Sequence, residues 1–82
     1  MIKIIFNKEK NRSLAYDNET IIGECVFLES NNSWNIVHTG VNSSHQGQGI
    51  ARKLVECVIN EAKKNNKSVT ADCSYAKKIL LN

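Results

Sequence analysis

The sequence predicts an α/β domain of the α+β type: a mixed sheet with an antiparallel meander of about four strands, then a helix, a fifth strand parallel to the fourth, and a short C-terminal helix. Three observations carry this. Short β-branched runs separated by Asn, Asp and Ser turns fill the first half of the chain. The apolar spacing then changes to a helical period between Ala51 and Ala62. A further short strand pattern follows, and a strand–helix–strand unit brings its two strands together in parallel.

Ile2 to Phe6 is apolar and β-branched, and forms the first strand. Arg12 to Tyr16 forms the second, and Asp17-Asn18-Glu19 supplies turn chemistry after it. Thr20 to Glu29 is longer. Alternation puts Ile22, Val26 and Leu28 on one face, Cys25 and Phe27 on the other. Ser30-Asn31-Asn32-Ser33 turns the chain again, and Trp34 to Val41 is the fourth strand. Consecutive strands on turns this short pair antiparallel.

In the helix, Ala51, Leu54, Val55, Val58, Ile59 and Ala62 share one face; Arg52, Lys53, Glu56, Asn60 and Lys63 share the other. Lys63 and Lys64 suit a last turn, and Asn65-Asn66 a left-handed stop. Ser68 to Asp72 is the fifth strand. A final helix opens near Ser74 and runs through Ile79, Leu80 and Leu81. The chain stops on that apolar stretch, which reads either as an interrupted domain or as an end that docks on a partner.

Residues 1–82 are expected to form a single domain, because a chain of 82 residues has material for only one core. A hydrophobic fraction of 41%, with no Pro and only four Gly, argues against disorder and low complexity. The first forty residues hold four Lys/Arg against five Asp/Glu; the remainder hold seven against three. A basic C-terminal half favours an anionic partner, the plain alternative being a solvated surface. Cys25, Cys57 and Cys73 are odd in number and widely spaced, which weighs against a disulfide framework and against a structural zinc. The apolar start at Met1 is too short for a signal peptide or membrane span, so a cytoplasmic location is the default expectation.

The informative segment is Val41-Asn42-Ser43-Ser44-His45-Gln46-Gly47-Gln48-Gly49-Ile50-Ala51. It joins a strand to a helix and holds two glycines one residue apart, which let main-chain amides approach a ligand. The first amides of a helix lack internal acceptors and sit at the positive end of its dipole, so the segment reads as a pyrophosphate site. Arg52 and Lys53 occupy the first turn, where the dipole disfavours cations by ~0.3–1 kcal/mol each; an anion resting there reverses that cost. The spacing lacks a Walker lysine, and Gly-x-Gly-x-x-Gly is incomplete because Arg52 stands at its third glycine. Simple NTP and NAD readings therefore lose.

Gln46-Gly47-Gln48-Gly49-Ile50-Ala51 resembles the Gln/Arg-x-x-Gly-x-Gly/Ala signature of the GNAT superfamily of acyl-CoA N-acyltransferases. His38-Thr39-Gly40-Val41, Gly47-Gln48-Gly49 and Cys73-Ser74-Tyr75-Ala76-Lys77 together resemble a group of minimal, GNAT-like proteins. The resemblance implies a sheet whose fourth and fifth strands splay, with acetyl-CoA as co-substrate and no metal. Its pantetheine would pair near Val41, and its pyrophosphate would rest on amides of Gln46, Gly47, Gln48, Gly49, Ile50, Ala51 and Arg52. Two departures stand out. Larger members carry Asn at the position of Cys73, and Leu80 stands where a Tyr often protonates the leaving thiolate. The N-terminal helices that commonly shape the acceptor site are also missing.

The chemistry needs a neutral amine, a polarised thioester and a protonated leaving group. His38 is the candidate base, because histidine exchanges protons near neutral pH and this one lies on the strand expected to border the thioester; an edge histidine satisfied by main chain is the alternative. Cys73 sits where a strand ends and a helix starts, a setting that lowers a thiol pKa. It could take the acyl group, protonate the departing thiolate, or simply pack. Cys25, Cys57, Trp34, Phe6 and Phe27 read as packing residues; Tyr75 and Lys77 are placed near the nucleotide end.

The reading is an N-acetyltransferase with an unknown amine acceptor, monomeric or a weak homodimer. The alternative is an acyl-CoA-binding module with little turnover. Few aromatics and no recognised motif leave little support for nucleic-acid binding, and no membrane partner is expected.

Overall fold

Asn11, Asn18 and Asn66 all take left-handed backbone, with φ of +54°, +56° and +58°. Asn tolerates this region better than most residues, which is how a chain without proline makes its tight reversals. The structure, a computed structural model, describes residues 1–81; Asn82, counted in the expected domain, lies outside the described residues.

The strands are β1 (Ile2–Asn7), β2 (Arg12–Asp17), β3 (Thr20–Glu29), β4 (Ser33–Val41) and β5 (Ser68–Ala71), in one sheet of order β1-β2-β3-β4-β5. The first four pair antiparallel, and β5 runs parallel to β4 from Ser33↔Ser68 to Ile36↔Ala71. Helix α1 (Ile50–Lys64) makes the crossover and α2 (Ser74–Leu81) follows β5. The predicted mixed sheet is therefore the observed one. Helix α1 stops in a Schellman arrangement: the amides of Asn66 and Lys67 donate to the carbonyls of Lys63 (3.2 Å) and Ala62 (2.9 Å).

One sheet face carries the core. Ala15, Cys25, Phe27, Trp34 and Ile36 lie fully buried with Leu54, Val55, Val58 and Ala62 of α1 and Ala76 of α2. Phe6, Phe27 and Trp34 stack nearly parallel, with centroids 4.4–6.0 Å apart. Ser13 is the buried polar side chain of this face, and its hydroxyl donates to the Leu54 carbonyl at 2.8 Å. That bond fixes α1 on β2 and removes the cost of burying the hydroxyl.

Two bulges correct the expected alternation. Ile22 is an extra residue between Tyr16↔Ile21 and Ala15↔Gly23. It is consequently buried with Cys25 and Phe27 instead of sharing a face with Val26 and Leu28, and Leu28 is 60% exposed. Val37 is likewise extra between Phe27↔Ile36 and Val26↔His38. One inserted residue exchanges the faces of everything after it.

Trp34 is expected to dominate stability. Trp34→Ala should cost about 3–5 kcal/mol in urea unfolding followed by circular dichroism, enough to unfold much of a domain this small. Its indole N–H is buried without a hydrogen-bond partner; the Glu29 carboxylate feels it but lies outside bonding geometry. Trp34→Phe removes that orphan group and should cost less than half as much.

Candidate functional site

The site begins where β5 leaves β4. The amides of Asp72 and Cys73 both donate to the carbonyl of Ile36, at 2.9 and 3.2 Å, and the chain then turns into α2. Pairing of β4 with β3 continues to Gly23↔Val41. Beyond the unpaired Val37, His38 to Val41 thus have a strand partner on the β3 side and, among the described residues, none on the β5 side. Main-chain groups on that edge are available to an extended ligand.

A cavity of ≈ 480 Å³ opens there. Thr39, Gly40 and Val41 form its strand wall; His45, Gln46, Gly47, Gly49, Ile50 and Ala51 form its loop wall; Tyr75 of α2 contributes from across the cleft. Among the residues singled out for coenzyme binding, Val41, Gln46, Gly47, Gly49, Ile50 and Ala51 line this space. Gln48 and Arg52 do not. Arg52 borders a separate groove with Ile79 and Leu80, and pairs with Glu56 at 3.3 Å, so one first-turn cation is partly offset within the helix.

Gly47 and Gly49 have φ of +82° and +76°. A Cβ on either would meet nothing within 4 Å, so the backbone twist, not crowding, calls for glycine. Gly49 caps α1 without any side-chain acceptor, and the first internal bond runs from the Lys53 amide to the Gly49 carbonyl at 3.2 Å. The amides of Ile50, Ala51 and Arg52 precede that bond and have no helical acceptor. Alternating left-handed glycines ahead of a helix dipole form a concavity for an anion.

His45 steadies the loop. Its Nε2 meets Asp17 Oδ2 at 2.9 Å, its Nδ1 meets Ser44 Oγ at 2.9 Å, and Asp17 also takes the N-terminal ammonium at 3.2 Å. The His45 hydrogen bond, then the ammonium, hold the Asp17 carboxyl below the usual carboxylate range.

Cys73 caps α2, whose first bond joins the Lys77 amide to the Cys73 carbonyl at 3.0 Å. Partial burial pushes its thiol up. The Ala76 amide, the Thr39 hydroxyl, and the amides of Tyr75 and Thr39 outweigh that and bring the thiol below its ordinary value. The Cys73 thiol donates to Thr39 Oγ1 at 3.7 Å, and Thr39 donates to Cys25 Sγ at 3.6 Å. Burial pushes Cys25 up to about 11 and also raises Cys57.

His38 points the other way. It is 60% exposed, with Nε2 3.8 Å from Glu24 Oε2. The structure does not bring His38 and Cys73 together; β4 lies between them. Thr39, Glu24 and Asp17 are site neighbours that sequence reasoning missed. Thr39 follows His38 directly, but its facing depends on the bulge at Val37, and the other two arrive through long-range register. Among the described residues no cluster of three metal-ligating side chains exists, and no helix is long and apolar enough to cross a membrane.

Comparison with known proteins gives one family. The sequence profile described as GCN5-related N-acetyl-transferase matches residues 12–82. The solution structure of a GCN5-like protein from Staphylococcus aureus shares 34% identity, covering 96% of this chain and 78% of its own, with a TM-score of 0.73. A GNAT family acetyltransferase from Elizabethkingia anophelis, solved with acetyl-CoA bound, shares 27% identity over 85% of this chain and 49% of its own, with a TM-score of 0.68. A GCN5-related N-acetyltransferase from Sphaerobacter thermophilus shares 25% over 76% of this chain, with a TM-score of 0.70. The chain spans about half the length of the second of these and 21% of the third. Among curated proteins none matches.

The three thiols should separate by reactivity. Thiolate is the form that alkylates, and a lowered pKa populates it at lower pH. Mass-resolved labelling with iodoacetamide should therefore give Cys73 a midpoint lower than that of an ordinary free cysteine, while Cys25 stays unlabelled until unfolding. Thr39→Val should move the Cys73 midpoint upward and Thr39→Ser should restore it; a midpoint indifferent to both variants removes Thr39 from the account.

Proposed function

Because the chain belongs to the GCN5-related N-acetyltransferases, we propose that it binds acetyl-CoA in the cleft between β4 and α1 and transfers the acetyl group to an amine. The single observation that carries this is the pair of left-handed glycines at the start of α1, facing the cavity that opens where β5 leaves β4. A coenzyme A thioester needs a diphosphate seat at one end and an unpaired strand edge along its length; the left-handed glycine turn and the open side of β4 support these two roles. The relative solved with acetyl-CoA bound supports the choice of ligand.

In this reading the amides of Gly47 to Arg52 hold the diphosphate, and the Val41 end of the β4 edge bonds the pantetheine amides. The acetyl group then lies toward Thr39 and Cys73. A neutral amine nitrogen bonds to the acetyl carbon as the carbon–sulfur bond breaks. Cys73 gives its proton to the departing sulfur and regains one, through solvent, from the amine. Main-chain amides polarise the carbonyl, so no dedicated side chain is required for that task. Cys73 replaces the tyrosine acid whose place Leu80 fills.

One observation favours the lesser reading, a module that binds without turnover: that tyrosine is missing. Acceptor-dependent release of CoA, followed by mass spectrometry with a panel of amines, separates the two.

Gly49→Glu is expected to abolish CoA binding, since it adds bulk and negative charge at the diphosphate seat, while leaving the helical circular dichroism in place. In a titration followed by ¹H–¹⁵N correlation spectra, the wild type should show CoA-dependent shifts at Gly47 to Arg52, and the variant none. Wild-type resonances that stay still would end the proposal.

A further inference from the structure

A second cavity, of ≈ 360 Å³, shares Gly40 and Val41 with the first and carries Glu24 and His38 on its wall. The two spaces therefore border the same end of β4, near its free edge. Glu24 presents one oxygen to Arg12 Nη1 at 3.0 Å, which fixes the carboxylate. The other oxygen stands 3.8 Å from His38 Nε2. That gap is too long for a hydrogen bond, yet a nitrogen placed about 2.8–3.0 Å from each atom bridges it. The half-exposed Ile21 side chain and the Gly23 main chain supply an apolar flank. Gly40 leaves room for the His38 ring: a Cβ there would stand 3.0 Å from His38 Nε2.

We propose that this cavity is the acceptor site, that Glu24 and His38 together hold the acceptor's ammonium, and that the acceptor is a primary alkylamine on an unbranched chain. The inference rests on the acetyl-transfer reading above and adds the second substrate to it. A carboxylate beside the reacting nitrogen would be repelled by Glu24, which disfavours free α-amino acids. An arylamine brings no positive charge for Glu24 to hold. A methylene chain lies along the exposed Ile21 side chain, with its charged end at the dyad. The ammonium gives up two protons in the reaction: His38 passes one to solvent, and the other ends on the coenzyme sulfur. The new nitrogen–carbon bond replaces the carbon–sulfur bond.

The test uses 1,5-diaminopentane as probe, with the full chain, with and without CoA. Addition of the diamine should shift the amide resonances of Glu24, His38 and Gly40. Glu24→Gln should raise the KM for the diamine at least tenfold with kcat within about twofold, and leave the CoA-induced shifts at Gly47 to Arg52 unchanged. Arg12→Gln breaks the same ion pair but keeps the anion, so its KM should equal or fall below that of wild type. Two results overturn the proposal: diamine shifts absent from Glu24 and His38, or an equal rise in KM in Arg12→Gln and Glu24→Gln, which marks the pair as structural. Failure of the cofactor reading is seen separately, as wild-type loop resonances that ignore CoA.

Discussion

One inserted residue, Val37, decides what each side of the site contains. Without it, His38 would follow Trp34 and Ile36 onto the core face and Thr39 would look outward. With it, Thr39 meets Cys25 and Cys73 on the cleft side, and His38 meets Glu24 on the other. The insertion falls one residue beyond the last pair with β5, at Ile36↔Ala71. Strand separation and face exchange thus occur at the same place. A strand whose two faces carry different chemistry, with a free edge between them, allows two ligands to meet from opposite sides.

The rest of the fold holds that strand still. Trp34 lies in the three-ring stack one turn of pleat before the bulge, and Ile36 beside it is fully buried. Ser13 ties the middle of α1 to β2 through the Leu54 carbonyl. Helix α1 is thereby fixed by its buried side, and its unpaired amides project where Gly47 and Gly49 leave them bare. The same helix serves as core and, in the proposed reading, as ligand seat, a double use suited to 82 residues. Arg52 and Lys53 remain in its first turn with no acidic residue there, so part of the dipole's demand for an anion is left open, Glu56 answering only for Arg52.

Much of this was legible in the sequence because it is local. The strands, the Schellman end at Asn65-Asn66 and the glycine loop depend on residues within a few positions of each other. Alternation in β3 was misassigned at Ile22 because a bulge is set by the partner strand, and nothing within Thr20–Glu29 marks it. Facing was lost in the same way at Val37, which concealed the role of Thr39. Glu24, Arg12 and Asp17 read as ordinary surface charges. They become site neighbours through pairings such as Val26↔His38 and Arg12↔Val26, which only the assembled sheet specifies. Gln48 and Arg52 enter the reading through their main-chain amides, and their absence from the cavity lining concerns side chains, which a loop presents to a cavity only in part.

The contrast between two cysteines shows how far position outweighs residue type. Cys25 and Cys73 touch the same Thr39 hydroxyl. Burial dominates at Cys25 and holds the proton on. At Cys73 burial also acts, but the amides of Ala76 and Tyr75, exposed by the start of α2, oppose it and win. Helix α2 therefore has an effect beyond Ala76's place in the core: its first amides bring a partly covered thiol below its ordinary pKa. Cys73 is linked by hydrogen bonding to Thr39 of the cavity wall, and in the proposed reading that contact can readjust as the thiol gives up its proton. A tyrosine at Leu80 would stand about two turns further along α2, whereas the Cys73 thiol lies at the helix cap, where β5 leaves β4.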